Sequence, residues 1–266
     1  MEYASPDRVS PRRFAMLRAV FALMLREMGS THGKALGGYA WKIAEPVLGI
    51  ALFSYVASLA FRSPSLGNNF AIYFAAGFLP FVTFNDVHRR VAGSINHSRQ
   101  LLAYPAVTFV DAIIARFLLA FMTQIVVFYL IVVGVEMIYD TDTSYRFPRL
   151  VMGMCIAASV GFGVGVANCF FWHYFPVWQR IWRILTRPLF ILSGVLFIYE
   201  DVPETYQGLI WWNPLIHATG YTRSGFFANY DAEWVSFIYV FAFSLIPGVV
   251  GLFLLYHFHR RILQQA

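Results

Sequence analysis

PLFILSGVLFIY (188–199), EDVPE (200–204) and GLIWWNPLIH (208–217) make up the stretch on which the fold of this chain turns. Twelve residues, 188–199, are apolar before the acidic break. As a helix they reach about 18 Å, against roughly 30 Å of bilayer hydrocarbon. The run after the break is apolar again, but Asn213-Pro214 interrupts it and it carries His217 and the pair Trp211-Trp212. Irregular backbone at membrane depth is tolerated only where protein buries it or where it lines a watery cavity. The stretch therefore reads as the lip or gate of a conduit.

The rest of the composition fits a membrane setting. The chain is 59% hydrophobic and 13% charged, about half the charged share of a soluble domain. Apolar runs place six spans near 42–61, 70–87, 107–138, 150–174, 184–199 and 235–258. The fold class expected is an all-α membrane protein, residues 1–266 forming one transmembrane domain. The run at 14–25 holds Arg18 and leads to no small-residue cleavage site, so no cleavable signal is expected. Cys155 and Cys169 lie about 21 Å apart on one predicted helix, beyond disulfide reach.

The net charge of +6 is a matter of topology. With the N-terminus inside, Arg26, Lys34, Lys42, Arg89, Arg90, Arg99, Arg180, Arg183, Arg187, Arg260 and Arg261 fall on the cytoplasmic side, and Arg62, Arg146, Arg149 and Arg223 fall outside. This asymmetry puts both termini in the cytoplasm and removes the case for a nucleic-acid partner.

Around these spans lie three segments with character of their own. Residues 12–34 repeat Phe14, Leu17, Phe21, Met24, Leu25 and Met28 at helical spacing among arginines, the pattern of an interfacial helix. Residues 94–104 carry Ser94, Ile95, Leu101, Leu102 and Tyr104, too apolar for a solvated turn. Span four spaces Gly153, Ala157, Gly161, Gly165 and Cys169 four apart, a small-residue stripe for close helix packing.

The motifs Gly38-Tyr39-x-Trp41-x-Ile43-x-Glu45-Pro46, Asp111-x-Ile113-Ile114-Ala115-Arg116 and Trp212-Asn213-Pro214-Leu215-x-His217 occur in this order. On them the chain resembles the membrane subunits of type 2 ABC exporters, specifically the capsular polysaccharide export permeases. The resemblance implies a permease subunit of the bacterial inner membrane that moves lipid-linked capsular polysaccharide. An O-antigen or teichoic-acid exporter is the alternative, and a non-transport integral membrane enzyme a more remote one. It implies a second copy of the chain, two ATP-binding cassette subunits holding ATP and Mg, a periplasmic copolymerase and an outer-membrane exporter. Residues 94–104 become an ATPase-coupling helix, and 200–223 a re-entrant or periplasmic gate hairpin. Arg26, Lys34, Trp41, Lys42 and Arg183 become the entry for an acidic glycan. Tyr55, Tyr73, Tyr199, Trp211, Trp212 and Tyr221 become a conduit and exit on whose rings sugar C–H faces slide. Gly220 departs from the pattern, since relatives often place a carboxylate there.

Catalysis finds no support in the residues. Gly33-Lys34 lacks the upstream glycine and following Ser or Thr of a phosphate loop, no His-Glu-x-x-His helix occurs, and His257 and His259 point apart on a helix. No metal site and no ATPase site of its own are expected. Scarce charges within the spans argue against ion-coupled transport.

Overall fold

The structure, a computed structural model, describes residues 15–32, 38–102, 107–139 and 145–265. Its regular elements there are α1 (Ala15–His32), α2 (Gly38–Ala60), α3 (Phe70–Ala92), α4 (Ser94–Leu102), α5 (Phe109–Ile138), α6 (Phe147–Tyr174), α7 (Pro176–Leu192), α8 (Glu204–Trp211), α9 (Pro214–Phe226) and α10 (Phe237–Gln265), with a 3-10 turn at Tyr199–Asp201. Among the described residues all regular structure is helical. Five of these helices, α2, α3, α5, α6 and α10, are long and apolar enough to cross a membrane.

Local chemistry sets several boundaries. Asn69 caps α3 by accepting from Ala71 N at 2.7 Å, and Arg89 and Arg90 in its last turn complement the helix dipole. Thr108 and Asp111 form a reciprocal capping box that starts α5. Pro148 and Pro214 sit in the first turns of α6 and α9, where a missing N–H costs nothing.

α3 and α6 are largely buried, whereas α2, α5 and α10 leave most of their surface exposed. The bundle is thus built around the α3–α6 pair, with α9 and α10 against α6. Small residues on α6 make this possible. A Cβ on Gly161 would meet Phe84 O at 2.8 Å, and one on Gly165 would meet Val91 Cβ at 2.9 Å. Gly153 faces Thr222 of α9, and Gly163 faces the Ser244 backbone of α10. Ala157 and Cys169 are buried, and both cysteines are free thiols. The stripe serves two partners, α9 at its N-terminal end and α3 further along.

The span expected at 184–199 takes another form. Helix α7 begins earlier, at Pro176, and stops at Leu192; Gly194 then adopts φ +68, which ends helical geometry. The apolar run 188–199 is therefore part helix and part loop, buried at Ser193, Gly194, Val195 and Ile198 and exposed at Leu196. Arg180, Arg183 and Arg187 do not end α7 because all three are exposed, while Trp178, Trp182, Leu189 and Phe190 are partly covered by the bundle.

Candidate functional site

The break after α7 is held from below by α9. Arg223, fully buried, donates from Nη2 to Val195 O at 3.0 Å and from Nη1 to Phe197 O. Its guanidinium lies over the Tyr73 ring, 4.6 Å from the centroid. Gly77 makes room: a Cβ there would stand 2.9 Å from both Arg223 Nη2 and Val195 O. Thr219 donates to Ser193 O at 2.8 Å, and Asn213 Nδ2 donates to Leu192 O at 3.0 Å. Asn213 Oδ1 meanwhile caps α9 through Leu215 N. Backbone groups that the broken helix leaves open are thus satisfied by side chains of the next helix. Burial pushes the Arg223 guanidinium below its ordinary pKa. Arg223, placed on the outer side by the sequence, is buried: carbonyls of the break supply its acceptors, so it need not face water.

Above this pin sits an aromatic cage. His217 is buried, with Nε2 donating to Trp211 O at 2.9 Å and Nδ1 accepting from Ser236 N at 3.3 Å. That pair of bonds fixes the neutral Nε2–H tautomer. Burial lowers the His217 pKa, the Trp211 carbonyl opposing part of the shift. Trp211, Trp234 and Tyr239 surround the imidazole with centroids at 5.0, 5.3 and 5.3 Å. Tyr199 stacks on Trp234 at 4.3 Å, and Gly220 lies under the same indole, where a Cβ would approach to 2.6 Å. Any side chain at position 220 would meet the Trp234 ring, which glycine avoids.

The acidic break is structural in part. Glu200 accepts from Trp234 Nε1 at 2.8 Å and from the Tyr230 hydroxyl at 3.0 Å, and Asp201 accepts from Ser65 Oγ at 2.8 Å. Arg146 and Arg149 both bind Asp231. These bonds gather the α2–α3 loop, the start of α6 and the 199–231 region at one end of the bundle.

The opposite end has its own network. Arg116 of α5 pairs with Glu27 of α1 at 3.0 Å and donates to Gly93 O, between α3 and α4, at 3.3 Å. Asp86 accepts from Arg90 at 3.0 Å and Gln124 at 3.1 Å. Asn168 bridges His88 and Trp178, at 2.8 Å each. Its oxygen accepts from the indole, so its amide donates to His88 Nε2, joining α3, α6 and α7. Ser94 lies 3.4 Å from Cys169 Sγ, tying α4 to α6.

Residues singled out by sequence distribute as follows. Arg26, Trp41 and Arg183 are exposed, and Lys42 is half-buried within the field of Arg90, Asp86, Glu27 and Arg116. Ser94 and Ile95 are buried against the bundle, while Asn96, His97 and Arg99 face outward. Leu101 and Leu102 close α4, and their side chains, with Lys34 and Tyr104, lie outside the described residues. Tyr199, Trp211 and Trp212 meet in the cage region, and Tyr221 packs edge-on to Phe237 at 4.9 Å. Tyr55 is exposed on α2, away from the cage. Tyr73 is buried at 3% exposure under Arg223. Sequence reasoning missed Arg223, Glu27, Arg116, His88 and Asn168 as organising groups. A lone arginine in an apolar context was the only available signal, at Arg223 and Arg116.

The family model of ABC-2 type transporters matches residues 18–227. Among curated proteins, the polysialic acid transport protein KpsM of Escherichia coli is 30% identical over 237 residues, covering 88% of this chain and 90% of that protein. The capsule polysaccharide export inner-membrane protein BexB of Haemophilus influenzae is 24% identical over 246 residues, covering 92% of each chain. The inner-membrane protein CtrC of Neisseria meningitidis serogroup B, with the same description, is 26% identical over 257 residues at the same coverage. An all-helical bundle with five membrane-length helices, matched from α1 through α9, is a multi-pass membrane protein that belongs to the ABC-2 type transporter family.

Proposed function

We propose that this chain is the permease subunit of an ATP-driven exporter that carries lipid-linked capsular polysaccharide across the bacterial inner membrane. The observation that carries the reading is the likeness along nearly the whole chain to capsule and polysialic acid export proteins, shared with the family match over 18–227. A second copy of the chain and two ATP-binding subunits holding ATP and Mg complete the transporter, with a periplasmic copolymerase and an outer-membrane exporter beyond it.

Six crossings suit this role. The segment 176–198 leads from the His88–Asn168–Trp178 end of the bundle to the end where Asp201 meets Ser65. α7 alone reaches about 25 Å, and the loop 193–198 makes up the remainder. An even number of crossings then puts Arg89, Arg90, Arg180, Arg183 and the basic end of α10 on one side, the cytoplasmic one, with both termini.

In this orientation α4 stands at the cytoplasmic end. Ser94 and Ile95 anchor it, and its outward face with Leu101 and Leu102 meets the ATPase. Movement of α4 reaches α5 and α1 through the Gly93–Arg116–Glu27 chain. The glycan enters past Arg26, Lys34, Trp41, Lys42 and Arg183. It leaves past Tyr199, Trp211, Trp212 and Tyr221, where α8 lies outside and α9 dips into the bundle as the two arms of a gate hairpin. Tyr73 serves Arg223 and not the path. Replacing Trp211 and Trp212 together by Ala tests the gate. Export should fall with ATPase association intact, and unchanged export would remove these residues from the path.

A further inference from the structure

Between α2 and α5 runs a trough of about 530 Å³ whose wall includes Tyr55, expected in the conduit, and which the glycan path proposed above does not use. Its wall on α2 extends from Ile43 to Ser58, about 22 Å at 1.5 Å per residue. The wall on α5 is its last three turns, and Asn68 and Asn69 of the α2–α3 loop close one end. The lining is otherwise mostly apolar, and both helices are membrane-length.

Two details of the trough bear on an occupant. Gly134 lies in its wall, inside α5, and a Cβ built there meets nothing within 4 Å. Glycine is among the poorest helix formers, and no contact among the described residues demands it at this position. Leaving space in the trough is what its missing side chain does. The second detail is Ser54, whose hydroxyl, also in the wall, is covered and has no hydrogen-bond partner among the described residues. In hydrocarbon an unbonded hydroxyl costs free energy, and an acceptor on a molecule in the trough would remove that cost. Ser58, one turn on, satisfies itself by donating to Tyr55 O at 2.7 Å.

Size decides what fits. Spread over about 22 Å, the volume of about 530 Å³ describes a groove roughly 5–6 Å across, where a helix with its side chains needs about 10–12 Å. A transmembrane helix of a partner or of a second copy is too thick. A single extended hydrocarbon chain is not, and the groove is longer than the roughly 15 Å of one leaflet. We propose that the α2–α5 trough is a resident phospholipid site. It holds one acyl chain of a lipid from the leaflet on the Asn68 side, with an ester carbonyl accepting from Ser54 and the headgroup at Asn68. The assignment depends on neither the glycan nor the direction of transport.

The full-length chain, reconstituted in phosphatidylethanolamine–phosphatidylglycerol vesicles with a trace of phosphatidylethanolamine bearing a diazirine on one acyl chain, is irradiated and its labelled peptides are mapped. Peptides covering 43–58 and 130–139 should label several-fold above the exposed α10 surface at Leu245, Ile246 and Phe253. Gly134→Phe, which fills the trough, should reduce that excess to the α10 level while labelling of α10 stays constant. Ser54→Leu provides the same test if Gly134→Phe does not fold. Labelling no higher than at α10, or an excess that survives both substitutions, would overturn the proposal. Displacement by added polyprenyl phosphate but not by unlabelled phosphatidylethanolamine would overturn it in favour of a carrier-lipid site. Loss of the excess on raising the protein-to-lipid ratio would overturn it in favour of a second copy.

Discussion

Arg223 is held over the ring of Tyr73 at 4.6 Å, a buried cation facing an aromatic ring with backbone carbonyls as its hydrogen-bond acceptors. Among the described residues it forms no ion pair. Its compensation comes from Val195 O, Phe197 O and the ring quadrupole. Because these acceptors belong to the break after α7, the arginine positions the whole 193–198 loop. Arg223→Met should therefore destabilise the chain by about 2–4 kcal/mol, from carbonyls left buried and unbonded. Arg223→Lys keeps the charge but not the fork and should fall between. Thermal unfolding of the detergent-solubilised protein measures both, and a Met variant as stable as wild type would remove Arg223 from this role.

Close helix approach gives a second expectation with an internal control. Gly163→Val places its side chain against the Ser244 backbone of α10, which cannot move aside as a flexible side chain would. The cost should be at least about 1–3 kcal/mol, seen as lower folded yield and melting temperature. Gly208→Ala on exposed α8 has nothing within 4 Å and should be neutral or stabilising by up to about 1 kcal/mol.

Much of this arrangement is legible in sequence. Hydropathy locates the five membrane-length helices, Asn213-Pro214 marks the start of α9, and the four-residue spacing from Gly153 marks the packed face of α6. What escapes is long-range pairing. Glu27 and Arg116 lie 89 positions apart, and Arg223 and Val195 28 apart, and no periodicity links them. The end of α7 also escapes, because an apolar run looks alike whether it is a spanning helix or a loop whose carbonyls are bonded from another helix. Only the acceptors' partners, Arg223, Thr219 and Asn213, distinguish the two, and in sequence the arginine resembles an external loop residue.

The Arg116–Glu27 pair joins α1 to α5, both side chains 12% exposed. A double-mutant cycle with Glu27→Gln and Arg116→Lys should give a coupling energy of about 0.5–3 kcal/mol in thermal or denaturant unfolding. Additive effects would mean that this pair contributes nothing to holding α1 against α5. The same variants should weaken ATP-dependent export more than they weaken ATPase binding, since the pair lies behind α4 and not on its outward face.

His217 gives a pH dependence whose sign is fixed. Its pKa in the folded chain lies below the ordinary 6.5, so the unfolded chain takes up a proton first as pH falls. The stability tied to neutral His217 is fully present above about pH 6.5 and declines as pH drops below it. Wild type should thus lose melting temperature between pH 7.5 and 5.5, and His217→Gln should lose less over the same interval. An equal loss in both would assign the acid sensitivity to other groups.

The most direct measurement is uptake of a lipid-linked acidic glycan into proteoliposomes containing this chain, with and without its ATP-binding partner. The account predicts uptake only when the partner and ATP are both present. It also predicts that Leu101→Asp with Leu102→Asp abolishes uptake and partner binding together while the permease remains folded. Uptake without the ATP-binding chain, or undiminished uptake by the doubly substituted protein, would contradict it.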